Sequence, residues 1–171
     1  MSRIDFVTGA PEKYMSLVRD LTQVAERLEP LVASYTSRDL QRAPSEDAWG
    51  ASRALSHMIS YAIHNGEFIN QIVWMTDPRR RAWDEDAEVS SEGWTNKNGA
   101  VLLEALREPL NDTIELLSGT PDASWGRPGM VPGRGRRSLR QQVGAHTAHL
   151  NEHIDQIEQL LAVPEAAGAA S

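Results

Sequence analysis

From residue 138 to residue 157 the chain reads SLRQQVGAHTAHLNEHIDQI, and three of its five histidines fall in this segment. Ser138 stands just before the first apolar residue, where a hydroxyl side chain typically caps a helix N-terminus. The apolar residues that follow recur at the period of an amphipathic α-helix: Leu139, Val143, Leu150, Ile154, Ile157 and Leu161. The segment therefore predicts a long helix that begins after Ser138 and ends at about residue 163.

The histidines of this helix lie on or beside its apolar face. His149 and His153 are spaced i, i+4, so a helix places their imidazoles one turn apart on the same face. His146 and His153 lie beside the middle of the apolar stripe, and His149 lies at its edge. Two neutral imidazoles so placed can hold a divalent metal, with a third from a facing helix. The spacing alone also allows an alternative without a metal, in which each histidine is partly buried and hydrogen-bonded to a neighbour.

Three more helices are predicted before this segment. They cover residues 11–37, with a bend or a break at Pro30, then residues 51–75 and residues 98–117. The sequence therefore predicts an all-α, single-domain four-helix bundle over residues 1–163. The small and unpatterned residues 164–171 predict a disordered tail.

The connections between these helices differ in character. The polar connection from the second to the third helix includes residues 79–81, all arginine, and is longer than a tight antiparallel turn requires. A long crossover between parallel neighbours is therefore expected there. Residues 125–137 are rich in glycine, proline and arginine and predict a loop that can hold a short hairpin. Trp125 and this loop are a candidate for closing over a site.

Composition excludes several classes of protein and of site. Cysteine is absent, so any metal must be held by imidazole and carboxylate groups, and no cysteine nucleophile exists. A net charge of −7 argues against a general nucleic-acid binder. No apolar run is long enough to cross a bilayer, and the first residues lack the pattern of a signal peptide. We therefore expect a cytoplasmic protein without nucleic-acid or membrane partners.

The second predicted helix supplies the facing histidines. His57 lies at the edge of its apolar arc, and Tyr61 and His64 follow one and two turns later. A tripod of His57, His149 and His153 would leave coordination positions open for water or substrate, which is typical of a catalytic site.

The remaining polar residues near this tripod receive other roles. His64 is two turns, or about 10 Å, from His57, which is too far to share a metal, so it is a pocket or surface residue. His146 is about as far from His153 and is expected to line the pocket or to support the ligands. Tyr61 is a candidate catalytic residue because its hydroxyl could donate a hydrogen bond in the site, although it could also merely pack.

Two segments resemble a known family. Pro44-Ser-Glu-Asp-Ala-Trp49 with Ala54-Leu-Ser-His57, and the segment of residues 138–157 quoted above, resemble the DinB-like superfamily. That group includes bacillithiol- and mycothiol-dependent S-transferases and maleylpyruvate isomerase-like proteins. Its pattern is a tryptophan at the start of helix two, a histidine about two turns later, and H-x-x-x-H before an isoleucine on helix four. The resemblance extends over nearly the whole chain. One departure is Gly50, where many relatives place a serine cap, and glycine is a tolerable substitute.

The resemblance implies properties that spacing does not give. It implies an up-down-down-up DinB-like bundle over residues 1–163, with a metal, zinc or nickel, held by His57, His149 and His153. It also implies that the chain forms a homodimer and acts on a small-molecule substrate.

The leading functional hypothesis is a metal-dependent enzyme that acts with a low-molecular-weight thiol as co-substrate. A thiol bound at the open position of a tris-histidine metal would lose its proton near neutral pH and become a nucleophile for S-transfer or isomerisation. Such thiols and many of their targets are polar or anionic. Two groups of arginines could recruit them, although solvated loop charge is the alternative: residues 79–81, or Arg134, Arg136, Arg137 and Arg140.

Two further hypotheses belong to other classes. A metal-dependent hydrolase would use metal-bound water and would need a nearby base. Glu152 completes an H-x-x-E-H string, but it points about 100° away from His153, so the protease interpretation is rejected. The third hypothesis is a non-catalytic, stress-related bundle that binds a metal or a small ligand.

Overall fold

The computed structural model describes residues 10–164. Apart from Pro164, the predicted tail of residues 164–171 lies outside the described residues. In chain order the elements are α1 (Glu12–Ala33), α2 (Ser37–Gln41), α3 (Ala51–Trp74), α4 (Glu85–Glu92), a 3₁₀ turn (Trp94–Asn96), α5 (Gly99–Ser118), α6 (Asp122–Trp125), β1 (Pro128–Val131), β2 (Gly135–Ser138) and α7 (Leu139–Ala162).

The four long helices pack as a bundle. Helix α5 packs against α1 and α3, and α7 packs against α3 and α1, so α1 and α3 lie at opposite corners. With a long crossover joining α3 to its neighbour α5, this order is that of the predicted up-down-down-up bundle. Each long helix contributes fully buried side chains to the common core, among them Leu21, Leu55, Leu106 and Leu150. Within residues 10–164 no helix is long and apolar enough to span a membrane.

The first predicted helix is wrong at its C-terminal end. Helix α1 continues through Pro30 but ends at Ala33, and α2 begins as a separate short helix. Thr36 causes this restart because its hydroxyl accepts a hydrogen bond from the Asp39 amide at 3.2 Å, as an N-cap does. The break allows Leu40 to turn into the core, where it is fully buried.

The crossover is more ordered than the sequence predicts. Helix α4 starts at its cap Asp84, whose carboxylate accepts from the Ala87 amide at 3.0 Å, and ends at Gly93, which has φ of 64°. Val89 and Trp94 are buried and anchor the crossover to the bundle. Periodicity could not reveal α4, because Val89 is its single buried residue.

The predicted hairpin forms from β1 and β2, which pair antiparallel. It lies close against α3: a Cβ on Gly129 would be 2.7 Å from side-chain atoms of both Ile72 and Phe68. Only glycine therefore fits at this point without a shift of its neighbours.

The expectation that Trp125 closes over a site is wrong. Its ring is fully buried and stacks on the ring of Tyr14 in α1, with centroids 4.6 Å apart. Its indole N–H donates to the Thr120 carbonyl at 3.0 Å. Trp125 is therefore a core residue that fixes the chain before the hairpin.

Candidate metal centre

The structure brings His57, His149 and His153 together. Their ligand nitrogens all lie within 4.8 Å of one another. His57 comes from α3, and the other two come from successive turns of α7. All three side chains are half-buried, so the histidine triad lies at the rim of the core with one side towards solvent.

Buried neighbours hold the triad in place. Met58, next to His57, and Leu150 and Ile154, which follow the other two histidines, are fully buried. Because these apolar side chains fix the rotation of α3 and α7, the histidines beside them face one another across the helix interface.

Hydrogen bonds through Nδ1 orient two of the three imidazoles. The Nδ1–H of His57 donates to the carboxylate of Glu85 in α4. The Nδ1–H of His153 donates to Oε1 of Gln156 at 2.9 Å. A neutral imidazole that donates through Nδ1 keeps a lone pair on Nε2, the atom available to a metal.

The third imidazole completes the set through a direct contact. Nε2 of His149 is 2.9 Å from Nε2 of His57. Since Nε2 of His57 carries a lone pair, the shared proton belongs to His149. It must move to Nδ1 of the His149 ring before both Nε2 atoms can bind a metal.

Burial favours the neutral form of two of these imidazoles, His57 and His149. Burial, with smaller effects from His153 and His57, lowers the pKa of His149 from 6.5 to about 4. Burial also lowers the pKa of His57, although the Glu85 carboxylate acts in the opposite direction. Neutral imidazoles are the ligand form of histidine, and three of them suit zinc, nickel and related divalent ions. The donor set therefore fits the metal that the sequence predicts.

Glu85 is itself held by other residues. Arg53 donates to its carboxylate at 3.0 Å and to Asp86 at 2.7 Å. The Arg53 guanidinium lies over the ring of Trp49, 4.4 Å from the centroid, and Trp49 in turn lies against His57 and His153. The tryptophan, arginine and carboxylate thus form one layer over the triad.

The sequence did not predict a role for Glu85. The crossover is rich in acidic residues, but no spacing rule links a carboxylate of α4 to a histidine of α3. The one available signal is the Asp84 cap, which starts α4 and thereby sets the direction of the Glu85 side chain.

His146 and Tyr61 form the wall behind the triad. The His146 side chain is fully buried, and its Nδ1 accepts from Nδ2 of Asn65 at 2.7 Å. The Tyr61 ring lies between two histidine rings, with centroids 5.2 Å from His146 and 4.2 Å from His149. Burial raises the pKa of Tyr61, so its hydroxyl stays protonated at neutral pH.

The other sequence-predicted residues lie outside the triad. His64 binds the Glu88 carboxylate through Nε2 and stacks on the ring of Trp83 at 4.8 Å. Arg140 is exposed, and in the described part of the chain no hydrogen bond, ion pair or ring contact links it to the histidines. Glu152 is exposed as well, in agreement with its expected direction.

Similar proteins share this architecture. YfiT from Bacillus subtilis, described as a probable metal-dependent hydrolase with an unusual four-helix bundle topology, superposes with a TM-score of 0.78 at 19% identity, over 94% of this chain and 90% of that chain. A mutant of the mycothiol-dependent maleylpyruvate isomerase superposes with a TM-score of 0.68 at 7% identity, over 84% of this chain and 60% of that chain. Identities this low show the fold alone. No curated protein matches the sequence significantly.

A family model settles the relationship that the fold suggests. The DinB superfamily model matches residues 20–157, which include all of α3 and α5, most of α1 and α7, and the histidine triad. The chain belongs to the DinB superfamily.

Proposed function

We propose that the protein is a metal-dependent enzyme in which His57, His149 and His153 hold a divalent metal that activates a low-molecular-weight thiol for S-transfer or isomerisation. The observation that carries the proposal is the set of three half-buried imidazoles with ligand atoms within 4.8 Å of one another. Three protein ligands leave coordination positions for a reactant, as catalytic sites require. A divalent metal bound there supplies Lewis-acid chemistry that lowers the pKa of a thiol or of water.

The residues around the triad have separate tasks. Glu85 fixes the orientation of His57 and raises its basicity as a ligand. Trp49 lies against two of the three imidazoles and limits the access of water. Tyr61 presents a protonated hydroxyl on the ring that packs against His149, where it can donate a hydrogen bond to a reactant.

The surroundings of the triad favour a thiol over water as the nucleophile. Activation of water needs a base, and Glu85 is already engaged by His57 and Arg53, while Glu152 is exposed. A thiol, with an ordinary pKa of about 8.5, needs less help to ionise. Because the sequence lacks cysteine, the thiol must come from a co-substrate. The similarity in fold to a mycothiol-dependent isomerase supports this choice.

A metal-dependent hydrolase is the second candidate. The similarity in fold to YfiT, over nearly the full length of both chains, favours it. The same triad would serve, with water in place of the thiol.

Paired assays on the metal-loaded protein separate the two candidates. One follows the conjugation of mycothiol, bacillithiol or glutathione to a chromogenic electrophile, and the other follows hydrolysis of p-nitrophenyl acetate without thiol. We expect thiol-dependent turnover that is lost in His149→Ala and kept in His64→Ala, the matched histidine outside the triad. Ester turnover without thiol, lost in the same variant, would instead establish the hydrolase.

The assembly state is a further part of this proposal. We propose a homodimer that acts on a small molecule, as the family resemblance implies. Light scattering of the purified chain should give twice the mass of 18.9 kDa, and a monomer mass would overturn it.

A further inference from the structure

The fold joins two arginine-rich segments that are far apart in sequence. The residues that follow α3 run alongside β1, where the Arg80 amide donates to the Met130 carbonyl at 3.0 Å and the Met130 amide donates to the Pro78 carbonyl at 2.8 Å. These bonds place residues 79–81 beside the hairpin that carries Arg134 and Arg137. Members of the two groups that the sequence offers as alternatives, residues 79–81 and Arg134 with Arg137, therefore lie on one basic surface.

The hairpin register separates its arginines by face. Arg137 pairs with Gly129, whose missing Cβ would point at the side chains of Ile72 and Phe68 in α3. Directly opposite residues of an antiparallel pair have their side chains on the same face, so Arg137 lies on the α3 face.

Arg136 takes the opposite face because it is one residue away in the strand. Its guanidinium pairs with the carboxylate of Asp77, with an Nη2 to Oδ2 distance of 2.7 Å. Arg136 and Arg137 thus lie in the same strand but point to opposite faces, and only the guanidinium of Arg136 is paired within the described residues. Substitutions at these two positions can therefore be compared directly.

A cavity lies beside this surface and reaches Glu85, the residue that binds His57. It has a volume of about 370 Å³ and is lined by Arg80, Arg81, Ala82, Trp83, Glu85 and Pro132. Of these lining residues, Glu85 binds His57, and Pro132 belongs to the hairpin turn. Arg80 also lies 3.5 Å from Oδ1 of Asn65, the residue that binds His146. A small molecule in this cavity would therefore contact Arg80 and lie next to Glu85, the partner of the metal-ligand candidate His57.

Two of these arginines, Arg134 and Arg137, have side chains that are available to a ligand. In residues 10–164, neither the guanidinium of Arg134 nor that of Arg137 has a hydrogen-bond or ion-pair partner. Burial raises the pKa of Tyr61, and the positive charges of Arg80, Arg137 and Arg134 act in the opposite direction. The charge of Arg134 also helps to lower the pKa of His149. Cations this close to a divalent metal would repel it, unless an anion lies between them.

We propose that Arg80, Arg134 and Arg137 form an oxyanion subsite that receives a carboxylate of the substrate or of its thiol partner beside the metal centre. The planar guanidinium fork suits a carboxylate, which it can bind through two parallel hydrogen bonds. The role of this subsite in turnover rests on the proposed function. Its binding of an anion can be tested separately, because none of the three arginines is a metal ligand. The substrate class that this proposal names is a small organic anion.

The test is an NMR titration of the full chain with succinate, in chelator-treated protein so that no metal can bind the probe. We expect saturable shifts at the hairpin turn, and about tenfold weaker binding in Arg137→Gln and in Arg80→Gln. Arg136→Gln is the matched control and should bind succinate as the wild type does. Circular dichroism melting of each variant shows that it is folded. Absence of saturation, or an equal loss in Arg136→Gln, would overturn the proposal.

Two further arms separate this proposal from the proposed function. His149→Ala removes a metal ligand and should bind succinate as tightly as the metal-free wild type. If the arginine variants bind succinate as expected but the metal-loaded wild type shows no turnover, the subsite stands and the proposed function fails. If the loaded enzyme does turn over, Arg137→Gln should raise the KM for an anionic thiol with kcat unchanged, and an unchanged KM would contradict the subsite alone.

Discussion

Nε2 of His57 and Nε2 of His149 lie 2.9 Å apart, although the two residues belong to different helices of the bundle. The Glu85 carboxylate holds the proton of His57 on Nδ1, so Nε2 of His57 has a free lone pair. The proton on Nε2 of His149 is then the one proton that lies between these two nitrogens. His153, one turn after His149, adds the third nitrogen. The protein thus holds three imidazoles close together, two of which are already oriented by hydrogen bonds through Nδ1.

The Glu85 carboxylate should strengthen metal binding through His57. Glu85→Ala removes the group that orients the imidazole and increases its basicity, and we expect metal affinity to fall about 10- to 100-fold. Competition with a chromophoric chelator measures the change. Glu88→Ala is the control, since Glu88 belongs to the same helix and binds His64, outside the triad. Equal effects of the two substitutions would contradict the assigned role.

The Tyr61 hydroxyl should matter for turnover and not for metal binding. Tyr61→Phe keeps the ring that packs between His146 and His149 and removes only the hydroxyl. We expect unchanged metal content and stability, and a kcat that is about 100-fold lower if the hydroxyl donates a proton or hydrogen bond to the reactant. If Tyr61→Phe has the same kcat as the wild type, measured with the thiol that the wild type turns over fastest, Tyr61 has a packing role alone.

Buried His146 should make the metal-free protein sensitive to acid. Burial lowers its folded-state pKa from 6.5 to about 3, so between these values the unfolded chain binds more protons. Stability is therefore fully present above the unfolded pKa and falls as the pH is lowered through this window. From pH 7 to pH 5 this residue should account for about 2 kcal/mol of lost unfolding free energy.

Urea unfolding of chelator-treated protein at both pH values measures this loss. His146→Gln keeps an acceptor for Asn65 and removes the titrating group. Between pH 7 and pH 5 the unfolding free energy of this variant should therefore fall by about 2 kcal/mol less than that of the wild type. The other histidines are common to both proteins and cancel in the comparison. An identical pH dependence of the two proteins would refute the assignment.

The close approach of the hairpin to α3 should depend on Gly129. In Gly129→Ala the new methyl group would meet Ile72 and Phe68 side-chain atoms at 2.7 Å, and we expect a loss of about 1–3 kcal/mol in unfolding free energy. Gly144→Ala is the control: it lies within α7, where nothing stands within 4 Å, and should stabilise the protein by up to about 1 kcal/mol. Equal stability of the two variants would contradict the packing described.

Periodicity and capping residues explain why much of the fold could be predicted. The caps of the third and fourth long helices are Asn98 and Ser138, whose side chains accept from the amides of Val101 and Gln141. The i, i+4 spacing of His149 and His153 is a local property of a helix, so their common face follows from sequence.

Contacts between segments explain what the sequence did not reveal. The bond from His57 to Glu85 depends on how the crossover docks, and α4 has a single buried anchor, Val89, that gives no periodic signal. The arginine segments meet through the pairing of residues 78–80 with Met130, which is a long-range contact. Trp125 is drawn into the core by its stacking on Tyr14 in α1, a long-range contact that its glycine-rich surroundings do not indicate.

The metal content of the purified chain tests the central claim most directly. The full chain is loaded with zinc or nickel, desalted and measured by plasma mass spectrometry, together with His149→Ala and its control His64→Ala. We expect about one metal per chain in the wild type and in His64→Ala, and less than about a tenth in His149→Ala, because loss of one of three ligands removes most of the affinity. A wild-type chain without stoichiometric metal, or a His149→Ala variant that retains it fully, would contradict the account.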